Sequence, residues 1–195
     1  MLNTIPFGSV VSWRINPKDL TFPENLFDYA QNFFTKMPET HASIILTPLV
    51  NWPIPTWYEY EASNTTRINL YNITPVSSIF NINAPEDVKI KIMQKLITNT
   101  YGKIYAIPQI FYFIIRWAAE GIGLDPRRWI NPFHWGKICS ELVYDYLFDL
   151  SQEMKWYDLE DQLKQWRPDN FHAGDVRVIL NWMEQHSYSN LIYGI

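Results

Sequence analysis

The chain has a single cysteine, Cys139, and it falls where a helix is expected to begin. Residues 138–150 (ICSELVYDYLFDL) carry Leu142, Val143, Tyr146 and Leu147 at helical spacing, which puts Cys139 in the first turn. Unpaired backbone N–H groups and the positive end of the helix dipole favour a thiolate there. The same N–H groups can hold an oxyanion during acyl transfer. Gly136 and Lys137 lie just before the helix and leave the sulfur approachable. The competing reading is a buried, inert cysteine on an apolar helix face, which is common.

A nucleophilic thiol needs a base, and imidazole suits the task because it titrates near neutrality. His41 opens a predicted strand over residues 40–46 (THASIIL) and shares one face of it with Ser43 and Ile45. A strand-end histidine with no catalytic role is the alternative. The imidazole in turn needs an orienting group. On the strand WYEYEA, Glu59 and Glu61 lie two residues apart on one face, and either could reach a histidine on a neighbouring strand. The alternative is a wet face. His134, five residues before Cys139 in a loop, is a second candidate base. His172 and His186 read as surface residues near helix ends, and Asp145 and Asp149 as the solvated side of the cysteine helix. No glycine-rich phosphate loop, HExxH zinc motif or GxSxG nucleophile elbow occurs, and one cysteine excludes a multi-cysteine zinc site. The expected chemistry therefore uses no cofactor and no metal.

These side chains need elements to hold them. A strand is expected over residues 8–15. An amphipathic helix should start at Pro23, with Leu26, Phe27, Ala30, Phe33 and Phe34 inward, and end at Met37-Pro38. After the strand bearing His41, Asn51, Pro53 and Pro55 read as a rigid turn. Strands follow over 57–62 and 66–71, with connections too short for crossover helices, so the sheet should be small and antiparallel. The second half reads as helical. Pro85-Glu86-Asp87 begins a helix to about residue 98, and Tyr101-Gly102-Lys103 breaks it. An apolar helix then runs to about residue 120 with Pro108 near its start or at a kink. Residues 125–135 are loop, and a last helix covers about 175–185. The order predicts an α+β fold in a single domain, 1–195.

Composition narrows the function. The chain has 195 residues, enough for one domain with a real core. Net charge is −4 with no basic stripe, which disfavours a nucleic-acid partner. Nine Trp, 12 Tyr and 11 Phe either fill the core or line a groove for an extended or lipid-like substrate. The most apolar segment, 104–119, is short for a bilayer span and contains Pro108, Gln109 and Arg116. It reads as a buried helix, with an interfacial helix in contact with a membrane surface as the alternative. The N-terminus does not read as a signal peptide, so the cytoplasm is the expected location.

In this order the residues resemble the circularly permuted, YiiX-like branch of the NlpC-type papain-like cysteine hydrolases. Gly8-Ser9-Val10-Val11 matches an opening strand where the family usually has Gly-Asp. Thr40-His41-Ala42-Ser43-Ile44-Ile45 matches a Ser/Thr-His strand, and Tyr60-Glu61-Ala62 a strand ending in Glu-Ala. Gly102-Lys103-Ile104-Tyr105 matches a Gly-x-x-Tyr element. Cys139-Ser140-Glu141-Leu142-Val143 matches the family's nucleophile helix without change. Arg167-Pro168-Asp169-Asn170-Phe171 matches a Pro-Asp-Asp/Asn segment near the end. The resemblance spans nearly the whole chain and implies a permuted papain-like fold. It implies Cys139 as nucleophile, His41 as base and Glu61, the glutamate before alanine, as orienting residue. Ser9 departs from the family's aspartate. The implied activity is thiol hydrolysis through a thioester on peptide or peptidoglycan-type amide bonds. A lipid-directed acyltransferase or thioesterase on an acyl-lipid substrate, and a non-catalytic binding module, are the alternatives.

Overall fold

The computed structural model describes residues 5–14, 39, 41–47, 50–51, 55–62, 65–72, 76–104, 107–132 and 136–194. Seven strands form one sheet: β1 (Val10–Trp13), β2 (His41–Ile45), β3 (Val50–Asn51), β4 (Pro55–Ala62), β5 (Thr66–Asn72), β6 (Val76–Ile82) and β7 (Ser189–Gly194). The order is β3-β4-β2-β1-β6-β7, with β5 on β4. Every described strand pair is antiparallel. The helices are α1 (Glu86–Thr100), α2 (Ile107–Gly121), α3 (Cys139–Glu153), α4 (Tyr157–Leu163) and α5 (Ala173–Gln185), with a 3-10 turn at Pro168–Asn170. The expected α+β class and antiparallel sheet are thus present. The amphipathic helix expected from Pro23 to Met37 lies outside the described residues, as do His134 and Tyr105.

Alternation along the strands gives the sheet two apolar faces. Val10, Ala42, Ile44, Tyr60, Ala62, Phe80 and Ile82 join the main core. Val11, Trp13, Ile45, Trp57 and Ile79 pack on the opposite face with Ile5. Helix α3 is the central partner of the first face. It buries Leu142, Val143, Tyr146, Leu147 and Leu150 against the sheet and the other helices. Each such aliphatic side chain contributes about 1.5–3 kcal/mol of burial, which fixes the axial position of the helix and of the cysteine at its end. The second residue of α2 is Pro108, a position that needs no N–H donor.

Some elements differ from expectation. Pro55 is not turn but the first residue of β4, paired with Asn51; proline is accepted there because a strand's first residue can spare its donor. Strands β6 and β7 and helix α4 were not foreseen. Helix α2 is amphipathic rather than wholly buried: Tyr112, Phe113 and Trp117 pack with Ile138, while Ile115 faces solvent. Among the described residues, no helix is long and apolar enough to cross a membrane.

One glycine is required by geometry. Gly8 has φ +72°, and a Cβ there would lie 2.4 Å from the Tyr146 hydroxyl oxygen and 2.8 Å from Lys89 Cδ. The Tyr146 hydroxyl donates to the Gly8 carbonyl at 2.9 Å, and the Gly8 N–H donates to the Ile45 carbonyl at 2.8 Å. The turn before β1 is thereby tied to both β2 and α3. Ser9 donates to the Pro6 carbonyl at 2.8 Å, so it staples this turn.

Candidate active site

Cys139 is the first residue of α3, as its sequence position predicts. Ile138 before it is extended (φ −112°, ψ 165°), and the Glu141 carboxylate reaches back to accept the Ile138 N–H at 3.3 Å. That bond satisfies one otherwise unpaired donor of the first turn. The Ser140 hydroxyl donates to the Phe171 carbonyl. On the approach side, Lys137 N–H donates to the Ile104 carbonyl at 3.1 Å, and Ile104 bridges to Thr65. Cys-Ser-Glu therefore does three local jobs: the cysteine leads the helix, the serine pins its start to the segment after Pro168, and the glutamate closes its first turn.

The segment after Pro168 braces the site from behind. Asn131 Nδ2 donates to the Asp169 carbonyl at 3.0 Å, and Asn170 Nδ2 donates to the Pro126 carbonyl. The Asn170 carbonyl accepts from Arg116 on α2. Arg116 is fully buried and grips Asp175 through two bonds of 2.8 and 3.1 Å. The sequence marked Arg116 only as an obstacle to a membrane span. Its partner lies on a distant helix, and nothing local signals the pair.

His41 leads β2, and its ring meets both expected partners. Nε2 lies 3.0 Å from Glu61 Oε2. The Cys139 thiol is a hydrogen-bond partner of the same ring. With Nε2 engaged by Glu61, Nδ1 is the nitrogen left for the sulfur. Sγ also accepts from the backbone N–H groups of Ala42 and Ser140. Burial alone would push the imidazole down, but the charge and hydrogen bond of Cys139, and then Glu61, outweigh it and hold His41 well above its ordinary value. Burial would push the thiol up, but His41 and the two N–H groups bring Cys139 below its ordinary value. Opposite shifts in two touching groups favour the thiolate–imidazolium form over the neutral pair.

Glu61, not Glu59, is the carboxylate on His41. Its other oxygen accepts from Arg67 Nε and Asn69 Nδ2, each at 3.2 Å, both from β5. Glu59 lies one rung deeper, accepting from the Ser43 hydroxyl, the Trp57 indole N–H and, at 3.2 Å, the Trp13 indole N–H. Both glutamates are fully buried, so this face is not wet. Burial pushes Glu59 up to about 7 against its hydrogen bonds from Ser43 and Trp57. The cysteine and histidine are only 5% and 13% exposed.

Two histidines lie elsewhere. His186 is exposed at the end of α5, stacked on Trp182, as expected. His172, expected at the surface, is buried: it caps α5 by accepting the Gly174 and Asp175 N–H groups at Nδ1. The spacing His172-x-x-Asp175, a capping box, was the signal that could have revealed this. Asp145 and Asp149 are partly covered, each tied to a lysine, Lys137 at 2.7 Å and Lys95 at 2.9 Å. Among the described residues, no group of three or more His, Cys, Asp or Glu side chains is placed to hold a metal ion. No protein-family model matches the chain, and no curated protein matches it in sequence.

Proposed function

We propose that the protein is a cysteine hydrolase of the permuted papain-like class, acting on amide bonds of the peptide or peptidoglycan type. The observation that carries this reading is the contiguous chain Cys139–His41–Glu61, in which the thiol is lowered and the imidazole raised by mutual contact. The Cys139 thiolate attacks the amide carbonyl carbon, forming the C–S bond. Backbone N–H groups opening α3 stabilise the oxyanion. The carbon–nitrogen bond breaks as the His41 imidazolium gives its Nδ1 proton to the departing amine. Water then attacks the thioester, His41 takes its proton, and the C–S bond breaks to return the thiolate and release the acid. Glu61 keeps Nε2–H pointed away from the sulfur throughout.

A second reading has one observation in its favour. Ile115 (57% exposed), Ile122 (78%), Leu124 (51%) and Ile130 (71%) leave aliphatic surface uncovered on α2 and the loop after it. That loop is tied through Asn170 to the segment pinning Ser140. Such surface suits an acyl-lipid substrate and a thioesterase or acyltransferase outcome.

One experiment separates these. Wild-type protein is incubated with peptide-amide, muropeptide and acyl-thioester panels, and adducts on Cys139 are read by mass spectrometry. Turnover of amides with a transient acyl adduct supports the first reading, and turnover of acyl thioesters alone supports the second. No adduct from any panel, with identical behaviour of Cys139→Ala, points to a binding module instead.

A further inference from the structure

Glu59 is the buried titratable group that the mechanism above leaves unused. Its hydrogen-bond partners among the described residues are all neutral: Ser43, Trp13 and Trp57. A buried acid with no cation hydrogen-bonded to it is costly, and an apolar or amide side chain of the same size avoids that cost. The strand register shows where this acid sits. β2 and β4 pair Ile44 with Tyr60 and Ile45 with Glu59, and continuing that register puts Ser43 opposite Glu61. Each glutamate then reaches diagonally, in the same direction, to the residue two places beyond its opposite: Glu61 to His41, and Glu59 to Ser43. The two bonded pairs are one motif repeated two residues deeper. Trp13, which donates to Ser43 at 2.8 Å and to Glu59, is the direct cross-strand neighbour of His41.

The donors around Glu59 suit an anion. Three hydrogens point at its two oxygens. A protonated Glu59 needs an acceptor for its own hydrogen, and the one in the set is Ser43 Oγ, which would first have to turn its own hydrogen away from Glu59. The donors favour the carboxylate while burial favours the acid, and the two balance near neutrality. Among the described residues, the charged or titratable groups facing this spot are His41 on β2, Glu61 on β4, Arg67 on β5 through Glu61, and Cys139 on α3 behind His41.

We propose that Glu59 is a positioning residue of the dyad: as a carboxylate caged by Ser43, Trp13 and Trp57 it places negative charge behind His41 that favours the thiolate–imidazolium pair, and protonation removes that influence. The inference rests on reading Cys139 and His41 as the reacting pair. The test uses the single cysteine, whose alkylation by iodoacetamide is followed by mass spectrometry from pH 4 to 10. The wild type should alkylate with a depressed first inflection, from ion-pair formation, and a second near neutrality. Glu59→Gln, with its fold checked by circular dichroism, should lose the second inflection and have its first inflection raised by about one unit, which is about ten-fold slower alkylation on the acid side of that inflection. Trp57→Phe removes one donor to the carboxylate and should move the second inflection to higher pH; it decides the matter if Glu59→Gln does not fold. A depressed first inflection with profiles unchanged in the folded variants overturns the role of Glu59 alone. An ordinary thiol profile in the wild type overturns the ion pair as well.

Discussion

Two of the described histidines, one half-buried and one buried, lie beside a carboxylate, yet their chemistry points in opposite directions. At the candidate site, His41 contacts Glu61 and Cys139 and is held above its ordinary pKa. Behind it, His172 lies 3.7 Å from Asp175 and falls to about 3, chiefly through burial, with Arg116 adding to the fall and Asp175 only partly opposing it. Burial therefore does not separate them. The protons and cations around each ring do. His172 Nδ1 accepts two backbone N–H groups, so that nitrogen must keep its lone pair. Asp175 is already neutralised by the buried bidentate Arg116. Glu61 also has an arginine, but Arg67 offers one bond at 3.2 Å and is 43% exposed, where solvent screens it. The cap favours the neutral form of its histidine, and the contacts of Cys139 and Glu61 favour the charged form of His41. Phe113 and Trp117 set their rings at a steep angle to that of His172 and complete its apolar setting.

The sharpest way to break this contrast is to remove each ring in turn. His41→Ala should lower amide turnover by about 10⁴-fold or more, since dyad members act as a unit, in a variant whose fold is checked by circular dichroism. His172→Asn should keep turnover within a few-fold, because asparagine can still cap α5. Steady-state rates alongside thermal melts decide it. Equal losses of turnover in two folded variants would place His172 in the machinery and end the distinction. Next in size is Glu61→Gln. It removes the anion that stabilises imidazolium, and turnover should drop about 10²-fold or more, with the acid limb of the pH–rate profile moving up as the thiolate becomes harder to form. A profile that merely scales down, without moving, contradicts an electrostatic role for Glu61.

Stability against pH sharpens the contrast from the other side. The folded pKa of His172 is lowered from 6.5 to about 3, so the unfolded chain binds a proton that the folded chain refuses between those values. Its contribution is fully present above pH 6.5 and is lost as the pH falls toward 3, by at most about 5 kcal/mol. His41 is raised, so its contribution has the opposite sign, present below 6.5 and lost as the pH rises through its folded value. Urea unfolding of wild type and His172→Asn from pH 3.5 to 7 should show the variant losing less stability on acidification. Parallel curves contradict the neutral cap.

The parts of this site that sequence could show are those with local causes. A lone cysteine beginning an apolar helical pattern, and a period-two strand carrying a histidine, are visible because helix and strand periods differ. Which glutamate meets the histidine is set by register between β2 and β4: a one-residue slip would turn His41 to the other face, and a two-residue slip would bring Glu59 to it. Strand β6 (VSSIFNI) hid for another reason. Ile79 and Phe80 are both fully buried, on opposite faces of the sheet, so the strand shows no alternation. Helix α4 shows only Leu159 and Leu163 inward among charged residues, too few to set a period. Arg116 and Asp175 are joined by packing alone, and no window of sequence contains both.

The smallest expected effect tests the exposure argument itself. Arg67 and Arg116 both bond the carboxylate beside a histidine, but one is 43% exposed and the other 1%. Arg67→Gln should cost about 0–1 kcal/mol of stability, the range of an exposed pair, because Asn69 still donates to the same Glu61 oxygen. Its effect on the dyad should be a gain of charge on Glu61 as seen by His41, moving the alkaline limb of the pH–rate profile upward by a few tenths of a unit. Added salt should shrink the difference between variant and wild type, since exposed charges are screened within about 8–10 Å. Arg116→Gln, in contrast, strands Asp175 and should cost about 3–5 kcal/mol, as breaking a buried pair does. If Arg67→Gln instead lowered turnover 100-fold, insensitive to salt, then solvent exposure would not be what distinguishes the two arginines, and Arg67 would itself belong among the groups that hold His41 in place.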